Sequence, residues 1–197
     1  MSQASTESDG LTRIRELLEP EPTLMERTVG GERIFEGCVL DLDHLEVELD
    51  DGSRAWREVV RNPGGAGVVA IRDGCVCLVR QYRIALGRMT LEIPAGKLEH
   101  GEPGEVCAAR ELAEEAGLTA EKLIPLVSTV GAPGFSNECT QVFLAKGLSQ
   151  GAAHPDPGEF VNVVWLPVND VVAAIRAGLV QDAKTVSGIL AALTFGC

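Results

Sequence analysis

Short runs of alternating apolar and polar residues fill the first half of the chain, with turn-forming pairs between them. Gly30-Gly31, Asp51-Gly52 and Asp73-Gly74 are three such pairs, and pairs of this type favour the tight turns that join antiparallel strands. The sequence therefore predicts three hairpins in this half. Their strands are expected at 25–29 and 32–35, at 39–49 and 54–60, and at 68–71 and 75–82.

The second half of the chain mixes strand patterns with helical ones and ends on two helices. A segment rich in glycine and proline before the last strand is expected to be a loop. Strands and helices in this order predict an α/β protein with a mixed sheet. Strands are expected at 91–93, 122–130, 141–145 and 160–165, helices at 104–116, 168–177 and 183–193, and the loop at 147–158.

The N-terminal residues are expected to contribute little to this core. Residues 1–9 are polar and are predicted to be disordered, and a short helix through Ile14 and Leu18 should stop at Pro20. The segment lacks the apolar core of a signal peptide, and the chain has no apolar run of 18 residues, so no membrane partner is expected.

Composition and charge narrow the classes of partner. The 197 residues suit one domain, or one domain with an added N-terminal element. The net charge of −12 argues against nucleic acid or an anionic membrane as a partner. An acidic protein that acts on an anionic substrate needs local positive charge, so its site should hold cations or a few arginines.

Cysteine usage indicates a reducing compartment. The six cysteines show neither CxxC pairs nor the spacing of a disulfide framework, and this usage suits the cytoplasm. Cys75 and Cys77 lie at strand spacing on one face and are expected to be buried thiols rather than a redox or metal-binding pair. The three histidines are scattered, so a zinc site built from histidines is not expected.

Residues 96–118 carry the most informative pattern. On the predicted helix Glu111, Glu114 and Glu115 fall at i, i+3 and i+4, so their carboxylates share one face. Like charges this close repel one another. A hard divalent cation would relieve the repulsion, because Mg²⁺ prefers carboxylate oxygens and keeps positions for water and phosphate. The pattern predicts a metal-dependent enzyme that acts on phosphates.

An acidic amphipathic helix with its charges in solvent is the alternative to a metal site. It would place Val106, Ala109 and Leu112 in the core. It gives no reason for the glycines and the single arginine that stand at fixed spacing around the acids.

The same segment resembles the Nudix box, G-x5-E-x7-R-E-U-x-E-E-x-G-U with U an aliphatic residue, and all nine specified positions match. The resemblance implies an α/β/α sandwich with a mixed sheet, which we assign to residues 61–197. Residues 1–60 exceed what that core needs and are expected to form a β-rich dimerisation lobe, so a homodimer is predicted.

The resemblance also assigns roles within the box. It implies that Glu111, Glu114 and Glu115 hold Mg²⁺, with Mn²⁺ as an alternative, and that the carbonyl of Ala95 is a further ligand. Gly96 has no side chain in the way, so the backbone can turn and a carbonyl can face the metal.

Two other box residues are expected to support the acids. Arg110 is better placed to orient a neighbouring carboxylate than to bind substrate. Glu102 is read either as a brace between loop and helix or as a further ligand.

A second motif, 131–138, contains Pro133-Gly134, a pair that fits a type II turn with a positive φ at the glycine. Pro133 lies sixteen residues after Gly117, which resembles the ADP-ribose pyrophosphatase branch of Nudix enzymes, although Ala132 replaces the usual serine. The resemblance places Pro133 and Gly134 among the predicted substrate-binding residues. Glu138 ends this loop and is predicted to take a proton from the attacking water; the alternative is a solvated loop glutamate.

Two further segments resemble the same branch. Arg83 ends a strand and is predicted to donate paired hydrogen bonds to the diphosphate, against a surface or salt-bridged role. In this branch aromatic and arginine residues of a partner's N-terminal lobe hold adenine. Trp56 and Arg57 are therefore candidates for adenine binding, with Trp56 equally able to be a core residue.

Together these features favour a Mg²⁺-dependent hydrolase that cleaves ADP-ribose to AMP and ribose 5-phosphate. A pyrophosphatase for another nucleoside-diphosphate sugar is the alternative among enzymes, since such relatives share the box and differ in their pockets. A non-catalytic module that binds ADP-ribose is the alternative from a different class, and the intact box argues against it.

Overall fold

The computed structural model describes residues 3–155, 158 and 160–195, with side chains from residue 10 onward. The chain forms two compact units, Met1–Val59 and Val60–Cys197. Its helices are α1 (Gln3–Leu17), α2 (Gly104–Ala116), α3 (Val168–Arg176) and α4 (Ala183–Thr194). Its strands are β1 (Arg27–Glu36), β2 (Asp41–Glu48), β3 (Arg54–Arg61), β4 (Gly65–Arg72), β5 (Cys75–Arg83), β6 (Arg88–Glu92), β7 (Ala95–Lys97), β8 (Leu118–Val130), β9 (Cys139–Gln150) and β10 (Asn162–Pro167).

The first unit contains α1 and a sheet in the order β1-β2-β3. Two expectations for this unit were wrong. Helix α1 already begins at Gln3 rather than after residue 9, and it ends one residue before Leu18; residues 1 and 2 lie outside the described residues. Gly30-Gly31 also lies within strand β1 rather than in a turn.

A close approach between strands explains the glycines of β1. Gly31 has a φ of 139°, and a Cβ atom there would lie 2.5 Å from the carbonyl oxygen of His44. The pairing with β2 shifts between Thr28 and Gly30. Glycine within a strand often marks such an irregularity, so this pair bends an edge strand and does not end it.

The other two predicted hairpins are confirmed. Asp51-Gly52 joins β2 to β3, and the Leu49 N–H donates to the Ser53 carbonyl across the turn at 2.9 Å. Asp73 and Gly74 join β4 to β5 with φ values of 52° and 74°. Two successive positive φ values are typical of the type I′ turn that matches strand twist.

The second unit is built on a mixed sheet in the order β10-β5-β4-β9-β8, with β6 paired to β5 and β7 to β4. Strands β4 and β9 are parallel, and the other described pairings are antiparallel. Strand β9 continues to Gln150, so the loop expected from residue 147 begins later. Its Pro157 lies outside the described residues.

Side-chain alternation gives the sheet two buried faces, as period-two strands require. On β4, Ala66, Val68 and Ala70 pack with the α2 residues Ala108 and Leu112. The intervening Val69 packs on the other face, in a cluster that contains residues of α3 and α4. The expected α/β/α sandwich is therefore confirmed.

Two thiols lie in or near this core. Cys77 is buried, as expected, and Cys75 is partly buried. Burial raises the pKa of Cys77 to about 12, so its thiol is protonated near neutral pH. Cys197 lies outside the described residues.

Within the described part of the chain, no helix has the length and apolar character needed to cross a membrane.

Helix α4 packs against the sheet at a glycine. A Cβ atom on Gly188 would lie 2.8 Å from a methyl carbon of Val142 and 3.0 Å from one of Val69. All three residues are buried, and neighbours in a dense interior yield little space. The helix can therefore approach this closely only without a side chain at position 188.

We predict that Gly188→Val lowers the free energy of unfolding by about 1–3 kcal/mol, because the added branch overpacks the contact with Val69 and Val142. The matched control is Ala183→Val, which adds a similar branch at an exposed position of the same helix. Urea unfolding of both variants checks this. Equal stability of the two variants would contradict the packing described here.

Candidate active site

Helix α2 holds the three carboxylates predicted to bind a metal, and both of its ends are fixed. Pro103 precedes its first residue in an extended conformation, and Gly117 ends it with a left-handed φ of 63°. The segment after β9 then covers its carboxyl end: Gly151 N–H donates to the Gly117 carbonyl at 2.6 Å, and His154 N–H donates to the Glu114 carbonyl at 2.9 Å. Helix-end carbonyls need such partners.

The acidic face of α2 points inward. Glu111 is 8% exposed and Glu115 is 4% exposed. Val106 and Ala109 lie at the surface instead. This contradicts the alternative of a helix with solvated acids, for which Val106 and Ala109 should be core residues. Carboxylates are rarely buried unless they bind a cation or a strong hydrogen-bond donor.

Arg110 supplies that cation within the helix. Its Nη1 donates to Glu111 at 2.6 Å and to Glu114 at 3.1 Å. Its Nε and Nη2 donate to the two oxygens of Glu102, each at 3.0 Å. This agrees with the expectation that Arg110 orients carboxylates.

Glu102 ties the preceding loop to the helix. Besides the paired bonds from Arg110, it accepts the Glu99 N–H at 3.0 Å. The hydrogen bond from Arg110, followed by that from the Glu99 backbone, lowers the pKa of Glu102 to about 2. The hydrogen bond with Glu102 likewise raises the pKa of Arg110. These contacts are those of a brace, the first of the two roles considered for Glu102.

Strand β7 lies directly against the buried acids. A Cβ atom on Gly96 would lie 1.9 Å from Oε1 of Glu111, so this carboxylate occupies the place of a side chain. The Ala95 N–H donates to Oε2 of Glu115 at 2.8 Å. The absence of a side chain at Gly96 thus lets the Glu111 carboxylate reach the strand beside the Ala95 N–H that Glu115 binds.

The strand register also leaves the Ala95 carbonyl outside the β4–β7 ladder. Ala95 is opposite Gly67, and the next pair along, Val68 with Pro94, is hydrogen-bonded. Antiparallel pairs alternate between bonded and non-bonded, so Ala95 belongs to a non-bonded pair. Its N–H and carbonyl both point away from β4, on the side where the N–H meets Glu115.

The donor set of α2 and β7 suits a hard divalent cation, which takes oxygen ligands from carboxylates and backbone carbonyls. In the described residues, however, no group of three or more acidic, histidine or cysteine side chains converges on one point. The contacts explain this: Arg110 binds Glu111 and Glu114, while Glu115 turns to the Ala95 N–H. These residues can hold a cation once the carboxylate oxygens of the three glutamates turn away from Arg110 and from the Ala95 N–H.

The loop with Pro133-Gly134 differs from its expected form. Gly134 does not have a positive φ, so the type II turn was a wrong prediction. The Ala132 carbonyl instead accepts the N–H groups of Phe135 and Ser136, at 3.1 and 2.9 Å. That pattern is a single turn of helix, which needs no positive φ at Gly134.

Residues 60–62 hold this loop in place. Val60 N–H donates to the Phe135 carbonyl at 2.7 Å, and Asn62 N–H donates to Oδ1 of Asn137 at 2.8 Å. Glu138 follows with an exposed side chain. Cys139, next in the chain, packs so closely on Gly64 that a Cβ there would lie 2.6 Å from its carbonyl oxygen.

Gly64 in turn connects the loop to the box. Its carbonyl accepts the Leu98 N–H at 3.1 Å, and Leu98 follows β7 directly. The structure therefore brings Glu138 to the same end of the sheet as the loop of the box.

Arg83 is salt-bridged in the structure, the alternative considered for it. Its Nε and Nη2 donate to the two oxygens of Glu92 at 2.8 and 2.7 Å. Lys184 and Thr90 donate to the same carboxylate. Glu92 thus binds the two Arg83 donors that were predicted to bind a diphosphate. The phosphate role of Arg83 remains a prediction.

Glu92 was not anticipated from the sequence. It is 2% exposed; burial alone would raise its pKa, but the bonds and charges of Arg83, Lys184 and Thr90 outweigh burial and lower the pKa to about 2. Its position in the sequence could have identified it, because an acidic residue between Leu91 and Ile93 interrupts an apolar run just before the box.

Trp56 and Arg57 lie in the first unit. Trp56 is 55% exposed and stacks on His44, with 4.3 Å between ring centroids. It is therefore not a core residue. Arg57 donates to both oxygens of Glu26, from Nε at 2.9 Å. Their predicted role in adenine binding stays a prediction.

Several known proteins are similar to this chain. The model of the NUDIX domain family matches residues 61–187. The ADP-ribose pyrophosphatase of Bacillus subtilis is 42% identical over 85% of this chain and 92% of its own length. The methanol dehydrogenase activator of Bacillus methanolicus is 41% identical over 83% of this chain and 90% of its own.

A solved structure has the same fold. The crystal structure of an ADP compounds hydrolase superposes with a TM-score of 0.77 at 21% identity, covering 87% of this chain and 95% of that one. The matched region 61–187 contains the buried acids of α2 and strand β7. The chain belongs to the Nudix domain family.

Proposed function

We propose that this protein hydrolyses ADP-ribose to AMP and ribose 5-phosphate with the help of divalent cations. The observation that carries the proposal is the pair of buried carboxylates, Glu111 and Glu115, that lie against the backbone of β7 at Ala95 and Gly96. The choice of ADP-ribose is supported by the 42% identical relative from Bacillus subtilis, which carries the name of that activity.

Cation binding would use the oxygens that the fold gathers at α2 and β7. We assign Glu111, Glu114, Glu115 and the Ala95 carbonyl as ligands of Mg²⁺, or of Mn²⁺ in its place. When bound, divalent ions polarise the diphosphate and neutralise its charge. Arg110 keeps a carboxylate partner in either state, because Glu102 holds it by two bonds that no cation ligand shares.

The reaction itself consumes one water. The water oxygen adds to one phosphorus, the bridging phosphorus–oxygen bond breaks, and a base accepts the proton that the water loses. We assign that base to Glu138, which is exposed beside the box loop and free of the packing that fixes Glu111 and Glu115. Glu114, the most exposed of the three box acids named here, is the alternative.

Substrate contacts are assigned on charge and exposure. Arg83 is half-exposed at the end of β5 and would meet the phosphates. Pro133 and Gly134 begin the loop that presents Glu138. In the homodimer proposed below, Trp56, whose exposed ring stacks on His44, and Arg57 would bind the nucleobase of a substrate held by the partner chain. Another nucleoside-diphosphate sugar could use the same diphosphate contacts, so the test needs several substrates.

Glu115→Gln is expected to keep the fold and to remove nearly all turnover. The amide oxygen can still accept the Ala95 N–H, so no cavity opens, whereas the lost charge weakens cation binding. The rate is measured at saturating Mg²⁺ on a panel of nucleoside-diphosphate sugars, with phosphate released from the products by a phosphatase. Wild-type protein should cleave ADP-ribose fastest.

Glu105→Gln is the matched control for that variant, because Glu105 is an exposed acid in the first turn of the same helix. It should keep the wild-type rate and melting temperature. A Glu115→Gln rate within about twofold of wild type would exclude the metal assignment, since losses at metal ligands or their supports are usually at least tenfold.

Glu138→Gln should lower kcat by roughly a hundredfold or more, the usual scale for a general base. The KM for ADP-ribose should change little, because the base acts on the attacking water rather than on bound substrate. Glu121→Gln, at an exposed position of β8, is the control. A large rise in KM with kcat preserved would make Glu138 a substrate-positioning residue and would move the base to Glu114.

We also propose that the chain is a homodimer assembled through the lobe of residues 1–60. Strand β1 is ten residues long, lies at the end of its sheet and is exposed along nearly all of its length. Ile34 and Phe35 leave 50% and 55% of their surface open. Long exposed edge strands with apolar residues favour pairing with another chain.

Light scattering should therefore give twice the chain mass of 20.9 kDa at micromolar concentrations. Ile34→Lys puts a charge on this apolar surface and should therefore produce monomers. A change at Arg33 would be a poorer test, because Arg33 is bound to Asp41 and Asp43 within the lobe. A wild-type monomer across micromolar concentrations would contradict the dimer.

A further inference from the structure

The short segment that leads into β7 is held at each of its residues. The Glu92 carboxylate is bound by Arg83, Lys184 and Thr90. The backbone contacts that follow are Ile93 N–H to Thr185 Oγ1 at 2.9 Å, Pro94 carbonyl to Val68 N–H at 2.9 Å, and Ala95 N–H to Glu115 Oε2 at 2.8 Å. Two of these partners, Lys184 and Thr185, belong to α4, on the opposite face of the sheet from α2.

Thr185 is the central contact on the α4 side. It is fully buried. Its hydroxyl accepts the Ile93 N–H and donates to Oδ2 of Asp182 at 2.5 Å. Asp182 also accepts the backbone N–H of Thr185 and so caps the first turn of α4. The hydroxyl is thus oriented by the helix cap, which leaves its lone pair aimed at the strand.

Pro94 makes this contact more important than an ordinary hydrogen bond. Proline has no N–H, so Ile93 carries the last backbone donor before Ala95. Ala95 lies two residues beyond Ile93, and between them the chain bends at Pro94, whose ring fixes its φ. A displacement at Ile93 is therefore passed through this single restricted residue to the N–H and carbonyl of Ala95.

We propose that Thr185 is a positioning residue for the cation site. It acts through Ile93 and Pro94 and sets where Ala95 presents its carbonyl beside Glu111 and Glu115. The inference rests on the proposed function, in that Ala95 and these carboxylates are taken as the cation ligands. Cation affinity would then depend also on Thr185 of α4, a helix on the far side of the sheet.

Thr185 permits a matched pair of variants. Thr185→Val keeps the shape of the side chain and removes the oxygen, which leaves the Ile93 N–H without its partner in a buried place. Thr185→Ser keeps the hydroxyl and loses only a methyl group. A positioning role requires the two variants to differ in cation affinity, whereas a packing role would make the serine variant the worse of the two.

The experiment is a Mn²⁺ titration of the full-length protein without substrate, followed by electron paramagnetic resonance of the free ion. Wild type should bind Mn²⁺, and Glu115→Gln should lose most of that binding. Thr185→Val should bind about tenfold more weakly or worse, the scale seen when residues that orient metal ligands are changed. Thr185→Ser should stay within about threefold of wild type.

Ile189→Val controls for lost packing and stability, because Ile189 is fully buried on the same helix and belongs to the same core cluster as Ile93, but its side chain has no hydrogen-bonding group. It should be destabilised yet bind Mn²⁺ as wild type does. If Thr185→Val does not fold, Thr185→Ala, which leaves room for a water, takes its place with the same expectation.

The outcomes separate the two proposals. Wild-type affinity in Thr185→Val, together with normal loss in Glu115→Gln, would overturn the positioning role alone. Absence of Mn²⁺ binding by the wild type would overturn the proposed function and this inference together. Equal weakening by Thr185→Val and Ile189→Val would reduce Thr185 to a packing residue.

Discussion

The site depends on how a single helix tolerates three carboxylates near its carboxyl end. Glu114 and Glu115 occupy the last turn of α2, which has no basic residue, and the helix dipole is negative there. Charge repulsion and dipole both oppose this arrangement. Arg110 offsets them by binding Glu111 and Glu114 while Glu102 holds it from the loop. An arginine in this position keeps Glu111 and Glu114 together on one face of the helix, the arrangement that the proposed cation site requires.

The rest of the fold keeps that helix and its facing strand at close range. Gly96 brings the backbone of β7 against Glu111, and Gly188 lets α4 approach the opposite face of the sheet. Residues 150–154 cover the carboxyl end of α2. At each of these contacts the two elements lie too close together for a side chain to fit between them. Small residues therefore stand where two elements must meet, and the geometry of the acids follows from their packing.

The sequence was sufficient to predict the helix and its acids, because periodicity and motif agreed over 104–116, the bounds that the structure also gives. Prediction failed where contacts between residues distant in the sequence determine the local structure. Gly30-Gly31 has the composition of a turn, but pairing with β2 turned it into a bend within a strand. A salt-bridged Arg83 was one of the two roles considered, but the sequence could not identify Glu92 as its partner, since that pairing depends on the register of β5 with β6 and on the position of α4.

We propose that α2 and β7 together form one cation site, and anomalous diffraction from crystals of the protein grown with Mn²⁺ would locate it. We expect an anomalous peak bordered by the Ala95 carbonyl, Glu111 and Glu115, with Arg110 still bound to Glu102. A saturating concentration of Mn²⁺ that gives no peak there, or a peak only elsewhere, would contradict it.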